Sequence, residues 1–253
     1  MAKRVLITAG GSGIGHAMAT TFASQGAKVW VTDIDQDKIA GIPSNWRGST
    51  VDAADATAVS DLFDQIQTQW NGLDVLCANA GIAGPTAKLE DVNSEDFDNC
   101  VRINLSAAFL ATKFAAPIMK RQNSGSIIYT SSTAGIHGFP NRAPYCASKW
   151  GTHGLMKTAA MELGPFGIRA NVVCPGSVEG PRIDGVIERE AEAKGTTPEK
   201  IRTGYEAGTS LRSFVTAQDI ANMAVFLASD SAKLISGQII SVDGHTENPD
   251  PKV

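Results

Sequence analysis

Short apolar runs alternate with longer stretches of helical periodicity from one end of the chain to the other. The apolar runs have the length of strands, and the stretches between them have the length and period of helices. The runs predict seven strands, at residues 4–9, 28–32, 48–52, 73–78, 126–131, 169–174 and 238–242. The stretches predict helices at residues 13–25, 55–70, 94–121 (capped by Asn93 or Ser94), 144–163 and 217–228.

Several of the predicted strands have no polar face. Val29, Trp30 and Val31 are consecutive apolar residues in the second strand, as are residues 172–174 in the sixth. Strands buried on both faces belong to a parallel sheet that helices cover on both sides. Because strands and helices alternate, we predict one α/β domain over residues 1–253, built on a doubly wound parallel sheet.

One segment interrupts this alternation. Residues 177–212 insert much polar sequence between the sixth strand and the next helix. Within them, residues 183–194 have an amphipathic helical pattern, which Gly195 and Pro198 end. A long polar insertion at the carboxyl edge of a sheet is either a lid over a ligand or a surface excursion. We expect a substrate lid.

Composition places the chain among ordinary globular proteins. Of its 253 residues 43% are hydrophobic and 19% are charged, and the formal net charge is −4. A nucleic-acid partner would require a clustered basic face, which the sequence lacks. Residues 107–119 are the most apolar stretch, but they are shorter than the roughly 18 residues of a membrane span. The first apolar run ends at Gly10, too early for a signal-peptide core, so we expect a cytoplasmic protein.

The cysteines and histidines indicate neither disulfides nor a metal site. Cys77, Cys100, Cys146 and Cys174 are widely spaced and form no Cys-x-x-Cys pair, which predicts buried free thiols. The four histidines match no metal-ligand spacing, so no metal is expected.

A glycine cluster lies where the first predicted strand meets the first helix. Gly10, Gly13 and Gly15 would let the backbone turn tightly and approach a pyrophosphate, which the N–H groups of the helix N-terminus would bind. Many turns are rich in glycine without binding a ligand. The position at a strand–helix junction is what favours a dinucleotide site.

Asp33 follows the second predicted strand, 18 residues after Gly15. An acid near this distance hydrogen-bonds the adenosine ribose of a dinucleotide and repels a 2′-phosphate. Neither Arg nor Lys occurs within residues 10–12 or 32–35 to attract that phosphate. We therefore predict NAD rather than NADP. The alternative is that Asp33 only caps the next turn or helix, although Asp35 is better placed to do so.

Tyr145 and Lys149 are four residues apart on a predicted helix, and hence on one face of it. A nearby ammonium stabilises a phenolate and lowers the tyrosine pKa from about 10. Such a tyrosine can take a proton from an alcohol or give one to a carbonyl. A half-buried tyrosine beside a surface lysine is the alternative for the pair taken alone.

Together these motifs resemble the short-chain dehydrogenase/reductase family over nearly the whole chain. The motifs occur in the family's order: the turn at residues 8–15, Asn79-Ala80-Gly81, Asn104, Ser132, Tyr145 with Lys149, and Pro175-Gly176. The resemblance implies a Rossmann fold and a nicotinamide cofactor that carries a hydride.

The resemblance also implies residue roles. Tyr145 would be the acid/base, and Lys149 would lower its pKa and bind the nicotinamide ribose. Ser132 would polarise the substrate oxygen, and Asn104 would hold a water that links Lys149 to solvent. Asp52 would bind the adenine, and the Val178 backbone would contact the carboxamide. The full set of implied cofactor-binding residues is Gly10, Ser12, Gly13, Ile14, Asp33, Ile34, Asp52, Ala53, Asn79, Ala80, Gly81, Tyr145, Lys149, Pro175, Gly176 and Val178.

Three positions depart from the family pattern. Ala9 stands at a turn glycine, Ala78 at an asparagine and Gly180 at a threonine that contacts the nicotinamide. The first two changes are small and should preserve the turn and the strand end. The third leaves the carboxamide contact open, with Ser177 or Glu179 as substitutes.

The substrate is less constrained than the cofactor. His137 is either a polar substrate contact or a loop residue that faces solvent. Arg182 either clamps a carboxylate or phosphate or forms a surface ion pair with Asp184 or Glu188. By resemblance, the residues expected to contact the substrate are Ser132, Thr133, His137 and Tyr145.

We expect an oxidoreductase that transfers a hydride between NAD and a secondary alcohol or ketone, a small polar hydroxyl compound such as a sugar or hydroxy acid. One alternative is an NADPH-dependent ketoreductase of the 3-oxoacyl-carrier-protein type, which Asp33 argues against. Another is a dinucleotide-binding protein without activity, which the complete catalytic set argues against. The resemblance implies a homotetramer. The tail at residues 247–253 either lacks order or crosses a subunit boundary.

Overall fold

The computed structural model describes residues 2–250. Within them, the strands are β1 (Arg4–Ile7), β2 (Lys28–Asp33), β3 (Arg47–Thr50), β4 (Val75–Ala78), β5 (Gly125–Thr130), β6 (Ile168–Pro175) and β7 (Ile239–Val242). They form one sheet in the order β3-β2-β1-β4-β5-β6-β7, and every neighbouring pair is parallel. The predicted doubly wound parallel sheet is confirmed.

Helices cover both faces of this sheet. They are α1 (Gly13–Ser24), α2 (Gln36–Ala40), α3 (Ala56–Trp70), α4 (Ser94–Val101), α5 (Ala107–Gln122), α6 (Ala143–Leu163), α7 (Pro181–Lys194), α8 (Pro198–Ala207) and α9 (Ala217–Ala228). Side chains of α3, α5 and α6 form one core with alternate strand residues, and those of α1 and α9 form a second core on the opposite face.

Strand β1 shows why the sequence specifies this layering. Successive side chains of a strand point to opposite faces. Leu6 accordingly packs in the core with α3, α5 and α6, whereas Val5 and Ile7 pack in the core with α1 and α9. All three are fully buried, so the strand tolerates no polar side chain on either face.

The long helix predicted at residues 94–121 is interrupted where α4 meets α5. Residues Arg102–Ser106 form a π-helical segment, in which the Ala107 N–H bonds the carbonyl of Arg102. A π segment inserts one extra residue into the helical ladder and occurs frequently at functional sites. The periodicity of the sequence does not show this insertion, and Asn104 lies within it.

Other boundaries differ from the prediction by a few residues. β1 ends at Ile7 rather than residue 9, because Ala9 has a left-handed backbone with φ of 50°. Helix α2 was not predicted, since its five residues are too few to show a period. Asp35 caps α2 by accepting from the Asp37 and Lys38 N–H groups, as the sequence suggested.

The insertion, residues 177–212, contains two helices. α7 ends at Lys194 and is followed by the capping residue Gly195, whose φ is 63°. α8, which was not predicted, begins after the capping residue Thr197. Ile187, Ile201 and Phe214 form a small separate core with α7 and α8. The insertion is therefore a packed substructure, and its action as a lid stays a prediction.

The chain after β7 returns to the insertion. The N–H groups of Glu247 and Asn248 both donate to the carbonyl of Gly208, and Asp250 forms a salt bridge of 3.0 Å with Lys194. Residues 247–250 of the predicted tail are thus packed against the insertion. Residues 251–253 lie outside the described residues.

The four cysteines, all in the described part of the chain, are free thiols. Cys77, Cys100 and Cys174 are buried as predicted, whereas Cys146 is partly exposed. Burial raises the pKa of the Cys174 thiol to about 12. Between residues 2 and 250, no helix has the length and apolar character needed to cross a membrane.

Candidate active site

The carboxyl ends of the strands open into a cavity of about 740 Å³. This volume lies in the range of small-molecule and cofactor sites. Nearly all residues expected to bind the cofactor line it, although the sequence separates them widely: Ser12, Gly13, Ile14, Asp33, Ile34, Asp52, Ala53, Asn79, Ala80, Gly81, Tyr145, Lys149, Pro175, Gly176 and Val178. Gly10 does not line the cavity.

The glycine turn packs too tightly for side chains. A Cβ on Gly10 would lie 2.7 Å from the Cβ of Val31, and a Cβ on Gly15 would lie 2.2 Å from the carbonyl oxygen of Ala9. Gly10 therefore holds the turn against β2, while Gly13, with φ of 54°, lines the cavity. Ala9 preserves the turn as predicted, although it takes a backbone conformation that favours glycine.

The N-terminus of α1 can accept an anion. Ser12 occupies the capping position without a side-chain hydrogen bond to the helix, and the first turn contains no acidic residue. The first N–H groups of a helix have no partner within it and carry partial positive charge. The glycines of the turn before the helix have no side chains that would fill this space. The turn and the helix N-terminus together fit the pyrophosphate of a dinucleotide.

Asp33 is buried at the end of β2 and lines the cavity. Its carboxylate accepts from the N–H groups of Gly11 at 3.3 Å and Asp35 at 3.2 Å. Lys38 also lines the cavity, and its Nζ lies 3.9 Å from Asp33 and 3.6 Å from Asp35. Lys38 lies outside residues 32–35, in which the sequence has no basic residue, and α2 brings it back to this site.

Asn79 joins the glycine turn to the end of β4. The Thr8 Oγ1 accepts from the N–H groups of Asn79 and Ala80, at 2.9 and 3.0 Å. The Asn79 side chain donates to the carbonyls of Thr8 and Ala9. These bonds set the position of the turn relative to the strand end, and Ala78 leaves them intact.

Asn104 is almost fully buried in the π segment. Its Oδ1 accepts from the Ile82 N–H at 2.7 Å, and its Nδ2 donates to the Ile82 carbonyl at 3.1 Å and to the Ser148 Oγ at 3.0 Å. The side chain thus ties the loop after β4 to α6. Its contact with Lys149 through a water stays a prediction.

Lys149 is 2% exposed, and its Nζ donates to the Thr130 carbonyl at 2.9 Å. Burial lowers the pKa of this ammonium, and the negative charge of Tyr145 in its phenolate form opposes that shift. A Cβ on Gly81 would lie 2.9 Å from the Asn104 Oδ1 and 3.4 Å from the Lys149 Nζ. Glycine at this position therefore leaves room for both functional side chains.

Tyr145 lines the cavity one helical turn before Lys149. Burial alone would raise the pKa of its phenol. The positive charge of Lys149 opposes this effect, as do the charge of Arg182, a hydrogen bond from Ser132 and the charge of Arg142. Together these influences outweigh burial, so the pKa of Tyr145 is below its ordinary value. The Lys149 Nζ lies 5.6 Å from the centre of the ring. A tyrosine of this kind exchanges a proton more readily near neutral pH.

The predicted substrate residues divide into two groups. Ser132, Thr133 and Tyr145 line the cavity together, and Ser132 also caps a short turn by accepting from the Ala134 N–H at 3.1 Å. His137 does not line the cavity; it lies half-buried in the following loop, and its N–H donates to the Thr133 carbonyl. The geometry favours the loop alternative for His137.

Comparison with known proteins agrees with this geometry. A family profile described as enoyl-(acyl carrier protein) reductase matches residues 8–245. A 3-oxoacyl-[acyl-carrier-protein] reductase of Thermotoga maritima is 33% identical over 249 residues, covering 96% of each chain. A D-beta-hydroxybutyrate dehydrogenase of Rhizobium meliloti is 32% identical over 254 residues, covering 96% of this chain and 98% of its own. The chain belongs to the short-chain dehydrogenase/reductase family.

The family likeness extends to the tertiary structure. The crystal structure of an NAD+-bound xylitol dehydrogenase superposes with a TM-score of 0.93 at 27% identity, covering 96% of this chain and 98% of that one. This short-chain dehydrogenase/reductase is therefore an oxidoreductase that acts between alcohols and ketones and uses a nicotinamide dinucleotide.

Gly180, the departure at the expected nicotinamide contact, lines the cavity. Gly180 has φ of 130°, a backbone that L side chains rarely adopt, and Pro181 begins α7 directly after it. A threonine would be strained in this backbone conformation. Glu179 forms a salt bridge of 3.1 Å with Arg202, so Ser177, which also lines the cavity, is the less committed substitute for the carboxamide contact.

Sequence reasoning missed several residues that line the cavity. Arg102 follows α4 and forms a salt bridge of 3.3 Å with Asp52, the expected adenine contact. Arg142 is the residue directly before α6 and has a non-helical backbone, so helical spacing from Tyr145 gives no signal for it. A further group comes from the insertion and the chain after β7: Tyr205, Thr209, Thr246, Asn248 and Pro249.

Proposed function

We propose that this short-chain dehydrogenase/reductase oxidises a small polar secondary alcohol with NAD. The observation that carries the proposal is that one cavity has the buried carboxylate of Asp33 near the glycine turn and Tyr145 with Lys149 farther along. The first favours a ribose without a 2′-phosphate. The second is a proton-transfer group in the same cavity.

Two relatives support the substrate class. The similar proteins include a xylitol dehydrogenase and a D-beta-hydroxybutyrate dehydrogenase. Both substrates are small polar hydroxyl compounds, and the described structure of the former is NAD-bound. The polar insertion over the cavity is consistent with such a substrate.

The chain's own residues supply the proton chemistry. When bound, the nicotinamide ring supplies the acceptor for the substrate hydride. Ser132 donates a hydrogen bond to the reacting oxygen, and the Tyr145 phenolate takes the hydroxyl proton as the carbonyl forms. Lys149 stabilises that phenolate by its charge and is itself held by the Thr130 carbonyl.

The 3-oxoacyl-carrier-protein-type ketoreductase is the second candidate, because a protein of that name is 33% identical to this chain. The two candidates differ in cofactor and in substrate. A panel of sugars, polyols and hydroxy acids with NAD, run beside acetoacetyl thioesters with NADPH and NADH, separates them by kcat/KM. Higher efficiency with NADPH and the thioester would replace the first proposal.

Tyr145→Phe tests the catalytic assignment. Removing a positioned acid/base typically costs about 10²- to 10⁴-fold in rate, whereas binding of NADH, followed by its fluorescence, should persist. Tyr129→Phe is the matched control, since that hydroxyl is buried in the sheet and bonds Thr112. Activity of Tyr145→Phe within a few-fold of the unmodified enzyme would refute the assignment and favour a dinucleotide-binding protein without this chemistry.

We also propose a homotetramer in the cytoplasm. Phe109 on α5 and Trp150 and Met161 on α6 expose large apolar side chains, which a subunit interface would cover. The free cysteines favour a reducing compartment. Light scattering of the purified protein gives the mass that tests the assembly.

A further inference from the structure

Arg142 lies against the proton-transfer group. Its guanidinium carbon is 4.9 Å from the centre of the Tyr145 ring, and the residue is only 9% exposed. Nη2 donates to the Ala83 carbonyl at 3.0 Å. Nε is buried and has no hydrogen-bond partner. A buried guanidinium with an unsatisfied donor costs free energy unless a ligand completes its hydrogen bonds.

Arg182 approaches the same loop from α7. Its Nη1 donates to the Gly81 carbonyl at 3.2 Å. Both arginines line the cavity, and both lie close enough to Tyr145 to lower the pKa of its phenol. Each guanidinium has five N–H donors, so most donors of this pair remain available to a ligand.

The structure provides no carboxylate to neutralise the two arginines. Within residues 2–250, neither Arg142 nor Arg182 forms a salt bridge. Asp184, the neighbour expected to pair with Arg182, instead binds Arg202 at 3.2 Å, as does Glu179 at 3.1 Å. The surface ion pair considered for Arg182 is therefore absent from the described structure, and positive charge at the catalytic part of the cavity is uncompensated.

The position of the two arginines indicates whether the cofactor or the substrate supplies the anion that would neutralise them. The turn and helix N-terminus that fit a pyrophosphate are at α1, and the ribose site is at Asp33. Arg142 contacts Tyr145, where the reacting oxygen of the substrate must lie. An anionic group beside Arg142 therefore belongs to the substrate.

We propose that Arg142 and Arg182 bind a carboxylate of the substrate, so that this enzyme acts on a hydroxy acid or the corresponding keto acid and discriminates against neutral alcohols. This rests on the proposed function of the cavity. The planar guanidinium matches a carboxylate with two parallel hydrogen bonds. A neutral substrate would leave the positive charge of the two guanidiniums without a counter-charge in the cavity, which is the physical basis of the selectivity.

Matched acids and amides test the selectivity. The probes are 3-hydroxybutyrate, glycerate and gluconate, each beside its primary amide, with NAD. Loss of a hydrogen bond to a charged group should lower kcat/KM by roughly 10- to 100-fold. In the unmodified enzyme, we expect kcat/KM for the amide to be lower by this factor than kcat/KM for the best acid. In Arg142→Gln and Arg182→Gln, we expect kcat/KM for the acid to fall by the same factor relative to the unmodified enzyme. The amide should lose less than the acid in these variants, because the effect of either charge on the Tyr145 pKa is common to both substrates and only the acid also loses its carboxylate contact.

Control variants separate charge from folding. Arg121→Gln removes an exposed arginine at the end of α5 that bonds Gln67. This variant should leave kcat/KM unchanged for both the acid and the amide. Arg142→Lys retains the charge but loses the two parallel hydrogen bonds of the guanidinium. If Arg142→Gln folds poorly, this variant replaces it as the test and should retain part of the activity on the acid. Equal losses for acid and amide in both glutamine variants would overturn the proposal.

A binding measurement keeps the inference separate from the proposed function. Tyr145→Phe saturated with NADH is titrated calorimetrically with acetoacetate and with acetoacetamide. Binding of the acid alone, lost on adding Arg142→Gln, supports the carboxylate site even if no alcohol in the panel is oxidised. Equal binding of both compounds refutes it. A rise in the Kd of NADH itself in Arg182→Gln, with no acid preference, would assign that arginine to the cofactor pyrophosphate and also refute it.

Discussion

The ammonium of Lys149 donates a 2.9 Å hydrogen bond to the carbonyl of Thr130, the last residue of β5. A group on α6 is thereby held at the carboxyl end of the central sheet. Since Tyr145 is one turn earlier on the same helix, the strand end fixes the distance between the ammonium and the phenol. The pKa of the phenol consequently depends on the sheet as well as on the helix.

Lys149→Met should move the pH dependence of catalysis. Without the ammonium, burial still raises the pKa of Tyr145 while its largest opposing influence is lost. The ascending limb of kcat/KM for alcohol oxidation should shift upward by roughly one to three pH units. Lys157→Met, two turns along α6 and exposed, should leave the limb unchanged. A lower plateau with an unshifted limb would mean that Lys149 only positions its neighbours.

Asp33→Ser should weaken discrimination against NADP. The substitution removes the buried charge that would repel a 2′-phosphate and leaves Lys38 nearby to attract it. The ratio of kcat/KM for NADP to that for NAD should rise by roughly 10- to 100-fold.

Asp35→Ser is the matched control for that change. It removes the same charge close by, and its side chain also faces Lys38 at 3.6 Å, but Asp35 does not line the cavity. Serine retains the ability to cap α2. If both variants changed the cofactor ratio equally, general electrostatics rather than a contact at Asp33 would determine the preference.

Gly81→Ala should impair catalysis more than folding. The added Cβ would lie 2.9 Å from the Asn104 Oδ1, so Asn104 or the loop must shift, and the Lys149 Nζ is nearby. Such crowding costs about 1–3 kcal/mol of unfolding free energy, and we expect a larger fractional loss in kcat. Gly154→Ala on α6, where a Cβ would meet nothing within 4 Å, should instead keep activity and slightly increase stability. Unchanged kcat in Gly81→Ala would contradict the tight packing.

Asp74→Asn should destabilise the fold at neutral pH and not in acid. Asp74 receives hydrogen bonds of 2.9 and 2.7 Å from Arg4. Burial acts to raise the pKa of Asp74, but these bonds and the charge of Arg4 lower it below the ordinary value. The pair thus contributes fully above the unfolded pKa of about 3.9 and loses its contribution as pH falls through the lower folded value.

Urea unfolding at two pH values measures this contribution. We expect Asp74→Asn to cost about 1–2 kcal/mol at pH 7 and much less at the lowest pH where the enzyme remains folded. Asp61→Asn, at an exposed position of α3, should cost little at either pH. If the loss of unfolding free energy in Asp74→Asn were independent of pH, packing rather than charge would be what stabilises the contact between Asp74 and Arg4.

Much of the site was predictable because it depends on local chain geometry. Apolar strands without a polar face specify a sheet covered on both sides, and Gly10 and Gly15 occupy positions where a Cβ has no room. Tyr145 and Lys149 share a helix face at any site on any fold. The edges of elements were less predictable: Ala9 turns the chain out of β1, and Arg102–Ser106 inserts a residue into a helix of regular hydrophobic pattern.

By itself, the sequence determined the parallel sheet, the turn before α1, the acid after β2 and the tyrosine–lysine pair. Each is a relation within one element or across one connection. The tertiary structure alone decided that Arg182 reaches Gly81 and that Lys38 returns to Asp33. Those contacts join elements whose separation depends on strand order, helix packing and the paths of loops. A periodic pattern reports which side of its own element a residue faces, and it does not report which other element lies opposite.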